Sequence, residues 1–404
     1  MNRLTLVLLA LMTFISVYQP VLAQPEALAS NPQECVTDYD PDVDYFPDKA
    51  TVTSADNFTV EYFNNYKIVT VSDAFDNAVP FTYVLVQCGT PAPPADDFPP
   101  NTLFTEVPSA DLIALSTTLL PHIVDLELLD QLIGLDSFDY VSAPAVRERI
   151  DEGELIAVGS GTSINVEVAL DSETDLVLTN AFNPDTDAYP LLIESGIFTA
   201  ISADWRESEP LGRAEWIKHT ALFYNAEARA NTVYDNIVNA YEEARDLALS
   251  VPEEDRPVVL WNSYSGFSEA WVISGSESYA GRLIEDAGGI IALGEEAPED
   301  SAFLSFEAVF DGAFDADVWV TNLFMVETVS DLLAMDARYA DFLAVETGNV
   351  WNNNLDVNEN GGVNYFELGV TNPHLILQDL VAIFHPELLP DHAFNFFQPL
   401  TDER

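Results

Sequence analysis

The feature that most constrains the fold is a long helical pattern near the middle of the chain, between Asn225 and Ser250. Its apolar residues recur every three or four positions, at Val233, Ile237, Ala240, Ala244 and Leu247, as on one face of an α-helix. We expect Asn225 to cap this helix and Pro252 to end it. At 1.5 Å per residue it spans roughly 35 Å. We interpret it as a rigid link between two lobes; one helix among many in a single α/β domain is the alternative.

An internal match supports the two-lobe interpretation. Glu167 precedes a helical pattern that leads to the sequence Asp-Leu-Val-Leu-Thr-Asn at 175–180. Glu307 precedes a similar pattern that leads to Asp-Val-Trp-Val-Thr-Asn at 317–322. This match indicates two lobes of one plan, each with a glutamate at the same corner. Chance similarity between two α/β units is the alternative.

Strand and helix patterns alternate on both sides of the long helix, which predicts parallel strand pairing and the α/β class. We expect two Rossmann-like lobes joined by a single long α-helix, with a strand-rich extension at the N-terminal end. Within the extension, strands at 58–63 and 66–71 flank a predicted turn at Asn64 and Asn65. The predicted divisions are a signal peptide at 1–23, the extension at 24–106, an N-terminal lobe at 107–224, the linking helix at 225–250 and a C-terminal lobe at 251–404.

The first residues have the pattern of a secretory signal peptide. A short basic end is followed by an apolar run from 4 to 17 and by the small-residue cleavage site Val21-Leu22-Ala23. We therefore expect a protein secreted to the periplasm or to the extracellular medium. In such a location the two cysteines, Cys35 and Cys88, are most simply a disulfide, and two free thiols are the alternative.

The charge balance is strongly acidic, with 68 acidic residues against 14 lysines and arginines and a formal net charge of −54. The sequence contains no basic patch that would neutralise phosphates, which excludes nucleic acid as a partner. We interpret the acidity as a solvated surface suited to salty surroundings. An anionic ligand would need a local cluster of arginines or the amides of a helix start.

Motifs for catalysis are missing from the sequence. It contains no G-x-S-x-G nucleophile elbow, no P-loop and no complete dinucleotide-binding glycine pattern. The five histidines form no H-x-x-x-H or H-E-x-x-H pair. We therefore predict no catalytic residues, no metal site and no cofactor of the protein's own.

Aromatic and amide residues instead stand at predicted strand-to-helix loops, where α/β proteins bind ligands. Such side chains suit the walls of a cleft for a large, partly apolar ligand. Phe324 and Asn352 also stand at such loops. For each of these aromatic and amide residues, local packing is the alternative interpretation. The predicted ligand-binding residues are Tyr140, Asn180, Phe182, Trp205, Arg206, Tyr264, Phe267, Trp271, Asn322, Trp351 and Tyr365.

Four segments together resemble a known family. They are 107–141, 165–180, the stretch LGRAEWIKHTALFYNAEARA from Leu211, and the run VWNNNLDVNENGGVNYFELGVTNPHLILQDLVAIFHPELLPDH from Val350. In this order they resemble the substrate-binding proteins of ABC importers, in the helix-linked class that carries ferric siderophores, haem and cobalamin. The resemblance covers about 107–396 and leaves the extension outside the common core.

The resemblance implies a monomeric receptor that holds its ligand between two lobes and docks on an ABC permease. In the family one glutamate per lobe contacts arginines of the permease, and the matching positions here are Glu167 and Glu307. In the family, anionic ferric siderophores are usually held by arginines and tyrosines of the cleft; the candidates Arg147, Arg206, Arg213 and Arg282 form no cluster in the sequence.

A neutral hydroxamate complex or a corrinoid therefore fits the arginine-poor loops better than an anionic complex does. Haem would use Tyr140 or His122 as its axial ligand. An exported hydrolase-like enzyme that uses the same cleft is the alternative function.

Overall fold

The computed structural model describes residues 27–402 except residues 267 and 300. The predicted signal peptide lies outside the described residues. Within them, no helix combines the length and the apolar character that a membrane crossing requires.

The N-terminal extension is a four-stranded sheet in the order β1-β2-β3-β4. The first two strands form the predicted hairpin across Asn64 and Asn65, and β4 pairs in parallel with β3. The disulfide between Cys35 and Cys88 is confirmed and ties the start of the described chain to the end of β3. The strands are β1 Phe58–Tyr62, β2 Tyr66–Val71, β3 Phe81–Gln87 and β4 Leu103–Val107.

The N-terminal lobe has a five-stranded sheet in the order β7-β6-β5-β8-β9, in which every pairing is parallel. Its strands are β5 Leu112–Ala114, β6 Leu132–Leu135, β7 Ile156–Ala157, β8 Leu176–Asn180 and β9 Thr199–Ser202. Its helices are α1 Leu120–Asp125, α2 Pro144–Asp151, α3 Val166–Asp171 and α4 Tyr189–Glu194. The predicted α/β alternation is confirmed.

Two helices follow β9, α5 Pro210–Leu222 in the N-terminal lobe and α6 Glu227–Ala248, which links the lobes. The first half of α6 packs in the core of the N-terminal lobe, and its second half packs in the core of the C-terminal lobe. The linking helix is therefore shared by both lobes. Its buried side chains are Glu227, Ala230, Tyr234, Ile237, Tyr241, Ala244 and Ala248.

Two details of the linking helix differ from expectation. The buried face of the helix is centred on Tyr234 and Tyr241. Both rings are buried, while the Tyr234 hydroxyl donates to Ser54 and the Tyr241 hydroxyl donates to Asp286. Asn225 does not cap the helix. It has a positive φ of 53°, and its side-chain amide bonds the extension instead.

The C-terminal lobe has a five-stranded sheet in the order β13-β10-β15-β16-β17 and a separate antiparallel sheet β11-β12-β14. Its strands are β10 Val258–Trp261, β11 Tyr264–Ser265, β12 Ala270–Ser274, β13 Ile290–Ile291, β14 Ser301–Leu304, β15 Val318–Thr321, β16 Val350–Asn352 and β17 Gln398–Pro399. Its helices are α7 Tyr279–Asp286, α8 Phe306–Ala313, α9 Val329–Met335, α10 Leu343–Glu346, α11 Asn364–Glu367 and α12 Pro373–Phe384. The two ends of the aromatic stretch 264–271, which was expected as a loop, pair in the antiparallel sheet, Tyr264 with Trp271 and Ser265 with Ala270.

The extension and the N-terminal lobe share one hydrophobic core, to which Phe58, Tyr83, Trp216 and Phe223 all contribute. Polar groups reinforce this boundary. The Glu215 carboxylate accepts the backbone amides of residues 53, 54 and 55 as well as the ammonium of Lys218. Burial alone would raise the pKa of Glu215, but these donors outweigh it and the pKa is lowered.

A buried ion pair joins the extension to the start of α6. Lys67 and Glu227 are both fully buried, with 2.7 Å between the ammonium and the carboxylate. Lys67 also donates to the Leu222 carbonyl and to the Asn225 side chain, so its three N–H groups are all used. Burial lowers the pKa of Lys67, and the nearby carboxylate opposes this shift.

Candidate functional site

The candidate site is the cleft between the two lobes, at the carboxyl ends of their parallel strands. In open α/β sheets this edge is where ligands bind. A cavity of about 600 Å³ lies between the lobes: its N-terminal side follows β9, and its C-terminal side is formed by the antiparallel sheet and the start of α7, with the extension as a third wall. We call it the bridging cavity; its lining includes Asp76, Trp205, Arg206, Arg213, Tyr279 and Glu299.

The N-terminal side of the bridging cavity is formed by the turn after β9. Trp205 donates its indole N–H to the Ala181 carbonyl, and its ring lies 5.0 Å from that of Phe182. The Arg206 guanidinium lies 5.3 Å from the Trp205 ring. Trp205 and Arg206, both predicted from the sequence, are thus brought together at the edge of the cavity.

Arg206 is held by the extension. Its two terminal nitrogens bond Asp76 and Asp73, at 3.0 and 2.9 Å. The hydrogen bond to Asp73 is the main reason that the pKa of Arg206 is raised. Sequence patterns did not indicate that these aspartates reach the cleft, because only the folded position of the extension brings them there.

Arg213, in α5, connects the two walls of the bridging cavity. It donates to the backbone carbonyls of Trp205 and Glu207. Its guanidinium lies 3.8 Å from the centre of the Tyr279 ring of the C-terminal lobe, close enough for a cation–π contact. Burial raises the pKa of Tyr279 to about 12, with Arg213 acting in the opposite direction.

A second cavity, of about 440 Å³, lies at the ends of β15 and β16 in the C-terminal lobe. We call it the asparagine cavity, since amide side chains alternate there with apolar ones. Phe324 and Met325 in its wall are 63% and 77% exposed, an unusual state for such large apolar side chains. Its lining includes Asn322, Phe324, Met325, Asn353, Asn358 and Phe366.

A smaller cavity of about 170 Å³ lies at the strand ends of the N-terminal lobe and includes Asn180 and Phe182. Phe182 is 57% exposed. Asn180 is buried and donates to the Asp204 carboxylate at 2.8 Å. The structure therefore places Phe182 on the cavity surface, while Asn180 also orders the turn after β9.

The lobes touch directly at one end of the cleft. The buried Glu367 carboxylate accepts the amides of Ser142 and Ala143, both at 2.7 Å, just before α2. The Asn358 side chain donates to the carbonyls of Asp139 and Val141. Tyr140, which is 58% exposed, lies within this segment. These bonds hold the N-terminal lobe against the C-terminal lobe beside the site.

Several predicted residues do not face the cleft. The prediction for Trp271 is wrong, because its side chain has no exposed surface and packs on Trp319 in the core. Tyr365 is likewise a core residue, packed against Phe396 and Phe397. Their aromatic character reflects core packing, which sequence alone does not separate from ligand contact.

Three further predicted residues are placed elsewhere or not described. Trp351 lines a cavity with Pro257, Asp317 and Asn349, at the amino ends of the strands and thus at the opposite edge. Tyr264 is half-buried in the antiparallel sheet. Phe267 lies outside the described residues.

The paired glutamates occupy equivalent places in the two lobes. Glu167 is in the first turn of α3, which leads to β8, and Glu307 is in the first turn of α8, which leads to β15. Each helix has a side-chain cap, from Asn165 in one lobe and Ser305 in the other. Both glutamates are exposed, and Glu307 pairs with Arg338 at 3.3 Å.

The described part of the chain has no group of three or more histidine, cysteine, aspartate or glutamate residues placed to hold a metal ion. The residues that sequence reasoning missed are Asp76, Tyr279, Glu299 and Asn353. They come from the extension, from helix starts and from connecting loops, whose positions depend on long-range contacts.

Comparison with known proteins identifies the fold. A periplasmic heme-binding protein from Pseudomonas aeruginosa superimposes with a TM-score of 0.52, at 16% identity, over 73% of this chain and 99% of that one. An ABC-type Fe3+-hydroxamate transport system protein from Saccharomonospora viridis superimposes with a TM-score of 0.51, at 18% identity, over 69% of this chain and 94% of that one. At these identities the likeness shows the fold.

Sequence comparison gives the family. An uncharacterized lipoprotein of Methanocaldococcus jannaschii is 25% identical over 262 residues, which cover 64% of this chain and 64% of that protein. The match thus spans less than two thirds of the relative's length. The family described as periplasmic binding protein matches residues 112–352, and this match covers more than half of the chain. With two α/β lobes, a shared linking helix and a cleft at the strand ends, the chain belongs to the periplasmic binding protein family.

Proposed function

We propose that the protein is an extracytoplasmic solute receptor that binds a metal chelate between its lobes and delivers it to an ABC-type permease. The observation that carries the proposal is the bridging cavity, lined by both lobes and by the extension. Its volume of about 600 Å³ falls within the roughly 300–1,000 Å³ of ligand-binding pockets. The family membership supports receptor function, because binding proteins of this family deliver small molecules to ABC permeases.

The chemistry of the cleft favours a bulky ligand with apolar faces and few charges. Exposed rings of Phe182 and Phe324, with the indole of Trp205, offer stacking surfaces. Amide groups in the asparagine cavity offer neutral donors and acceptors. A ferric hydroxamate siderophore or a corrinoid fits such walls, and haem is the remaining member of this ligand class.

Docking on the permease is assigned to Glu167 and Glu307. Two exposed carboxylates at equivalent corners of the lobes are suited to a permease with two-fold symmetry. Replacing both glutamates by arginine is expected to abolish uptake while leaving ligand affinity unchanged. The control replaces Glu152 and Glu346, which are also exposed, and keeps uptake. Uptake that survives the first pair of changes would contradict the assignment.

The receptor function is tested by titrating the purified protein with ferric hydroxamates, haem and cobalamin while following tryptophan fluorescence. Trp205 lines the bridging cavity, so saturable quenching at micromolar concentration or below is expected for one of them. In the matched variant Trp205→Phe the quenching should shrink. A flat response to the whole panel would contradict the proposed ligand class.

A further inference from the structure

The extension reaches the bridging cavity through the turn that follows β2. Asp76 lines the cavity itself. The turn is anchored, since Ala74 is fully buried and the Phe75 ring packs near that of Tyr189, with 6.4 Å between ring centres. The Glu207 carboxylate fixes the preceding part of the extension by accepting the amides of residues 56 and 57. The aspartates of this turn are thus held in place at the cleft.

Each arginine near the bridging cavity already has partners. Arg206 bonds Asp73 and Asp76. Arg213 bonds two backbone carbonyls and lies over Tyr279. Arg282 pairs with Glu209 at 3.0 Å. The same cavity also exposes the carboxylates of Asp76 and Glu299. With Asp73 included, four carboxylates (Asp73, Asp76, Glu207 and Glu299) stand against the two guanidinium groups of Arg206 and Arg213, so an entering anion would meet net negative charge.

We propose that Asp73 and Asp76 set the charge selectivity of the cleft, so that it accepts neutral or cationic metal chelates and rejects anionic ones. Two aspartates against one guanidinium leave a net negative charge at the cavity edge. They also occupy the planar N–H groups that would otherwise bind a carboxylate or catecholate oxygen. This inference rests on the proposed function and names its ligand class. The extension is then a specificity element of the receptor.

The test compares the full-length mature protein with the variant Asp73→Asn/Asp76→Asn. Asparagine tolerates the positive φ of 49° at position 73, so the backbone of the turn is kept. The probes are a neutral ferric trihydroxamate, a cationic ferric trihydroxamate with a free ammonium group, and an anionic ferric tris-catecholate. Their affinities are measured by fluorescence quenching at low salt, since high salt screens the effect.

Two controls isolate the role of Arg206. The variant Asp96→Asn/Asp97→Asn removes the same charge from exposed positions of the extension and should leave every affinity unchanged. The variant Asp73→Asn/Asp76→Asn/Arg206→Gln should lose whatever the double variant gains, because the freed guanidinium is then missing.

We expect the double variant to bind the anionic complex roughly tenfold more tightly than the wild type, with little change for the neutral complex. Wild-type protein that binds the anionic complex as tightly as the neutral one would overturn the inference. A double variant with no gain for the anionic complex would overturn it too, even where wild-type binding of the neutral complex upholds the receptor function. A wild type that binds none of the probes counts against the receptor function. The inference is then decided by whether the double variant gains affinity for the anionic complex.

Discussion

Two regions of the molecule are stabilised in different ways. One is the boundary between the extension and the N-terminal lobe, and the other is the core of the C-terminal lobe. At the boundary, buried carboxylates accept backbone amides and ammonium groups, as Glu215 and Glu227 do. In the C-terminal lobe, aromatic rings of Trp271, Trp319 and Phe342 pack within 6 Å of one another. A buried charge needs every partner in place, whereas packed rings lose stability in proportion to the area removed.

The difference reflects what each region must hold. The extension approaches the lobe partly through irregular segments, such as residues 53–57, whose amides have no strand partner and need acceptors. The C-terminal aromatic core lies among strands and helices that already satisfy their own backbone groups. Polar contacts give the boundary a defined position, and apolar area gives the core its stability.

The largest expected effect is at the buried ion pair. Lys67→Met leaves Glu227 buried without its cation and is expected to lower the free energy of unfolding by about 3–5 kcal/mol. Chemical denaturation measures this. Lys49→Met is the control, because its pair with Asp44 is largely exposed and is expected to contribute at most about 1 kcal/mol. Similar losses in the two variants would remove the distinction drawn between the boundary and the surface.

The second prediction concerns pH. Burial lowers the pKa of His219 to about 3, with His122 contributing further. The unfolded chain therefore binds more protons below about pH 6.5, and stability falls as the pH falls from there toward 3. His219→Phe should flatten this loss by up to about 1.4 kcal/mol per pH unit. The three surrounding rings of Phe58, Trp216 and Phe223 should accept a phenyl group.

The matched variant for the pH experiment is His374→Phe in the C-terminal lobe. Burial lowers the pKa of His374 to about 4, so its window is shorter and the flattening should be smaller. Denaturation curves at several pH values between about 3 and 7, a range that covers both windows, measure both slopes. If His374→Phe flattened the pH dependence of stability as much as His219→Phe or more, the order predicted for the two histidines would be contradicted.

A smaller effect is expected for Trp216→Phe at the boundary. The Trp216 indole donates to the Glu207 carboxylate at 3.0 Å, and both side chains are buried. Removing this donor leaves the carboxylate with only backbone amides. We expect a loss of about 1.5–3 kcal/mol in the free energy of unfolding, as for a hydrogen bond to a charged group. A loss well below this range would mean that the amides alone satisfy Glu207.

The smallest effect is expected for the same substitution in the aromatic core. The Trp271 N–H has no hydrogen-bond acceptor among the described residues. Trp271→Phe therefore breaks no hydrogen bond, and its cost comes only from the lost packing of part of a ring. That cost should be smaller than the cost of Trp216→Phe by about 1.5–3 kcal/mol, because Trp216→Phe loses similar ring area and a hydrogen bond to a charged group as well. Thermal or denaturant unfolding of the two tryptophan variants, measured side by side, compares the boundary and the core directly. A larger cost at Trp271 than at Trp216 would contradict the comparison.

Sequence patterns predicted the elements whose signals are local. The strands expected at 58–63 and 66–71 agree with β1 and β2 to within one residue, and the helix expected at 225–250 contains α6. Helix α5 was not predicted, since it is buried on nearly all sides and has no polar face to give a helical period. The aromatic stretch at 264–271 was expected as a loop. It pairs instead through β12 with β14, a partner distant in sequence.

The residues of the candidate site, like the helices and strands, were predicted only where the signal in the sequence is local. Phe182, Trp205, Arg206 and Asn322 line cavities because they follow strands directly, and the end of a strand can be read locally. Trp271 was assigned to the cleft as an aromatic residue of a predicted loop, but it lies in strand β12 and its ring is in the core. The aspartates that hold Arg206 could not be predicted, because more than 100 residues separate them from it along the chain.

The carboxylates at the boundary have an evolutionary consequence. Glu207, Glu215 and Glu227 belong to the part of the chain that resembles the wider family, yet most of their donors belong to the extension. A descendant that lost the extension would keep acidic groups without most of their partners, and one that lost the acidic groups would release the extension. We therefore expect the two to be inherited together. In a relative without the extension, the positions aligned with these glutamates should carry apolar or small residues.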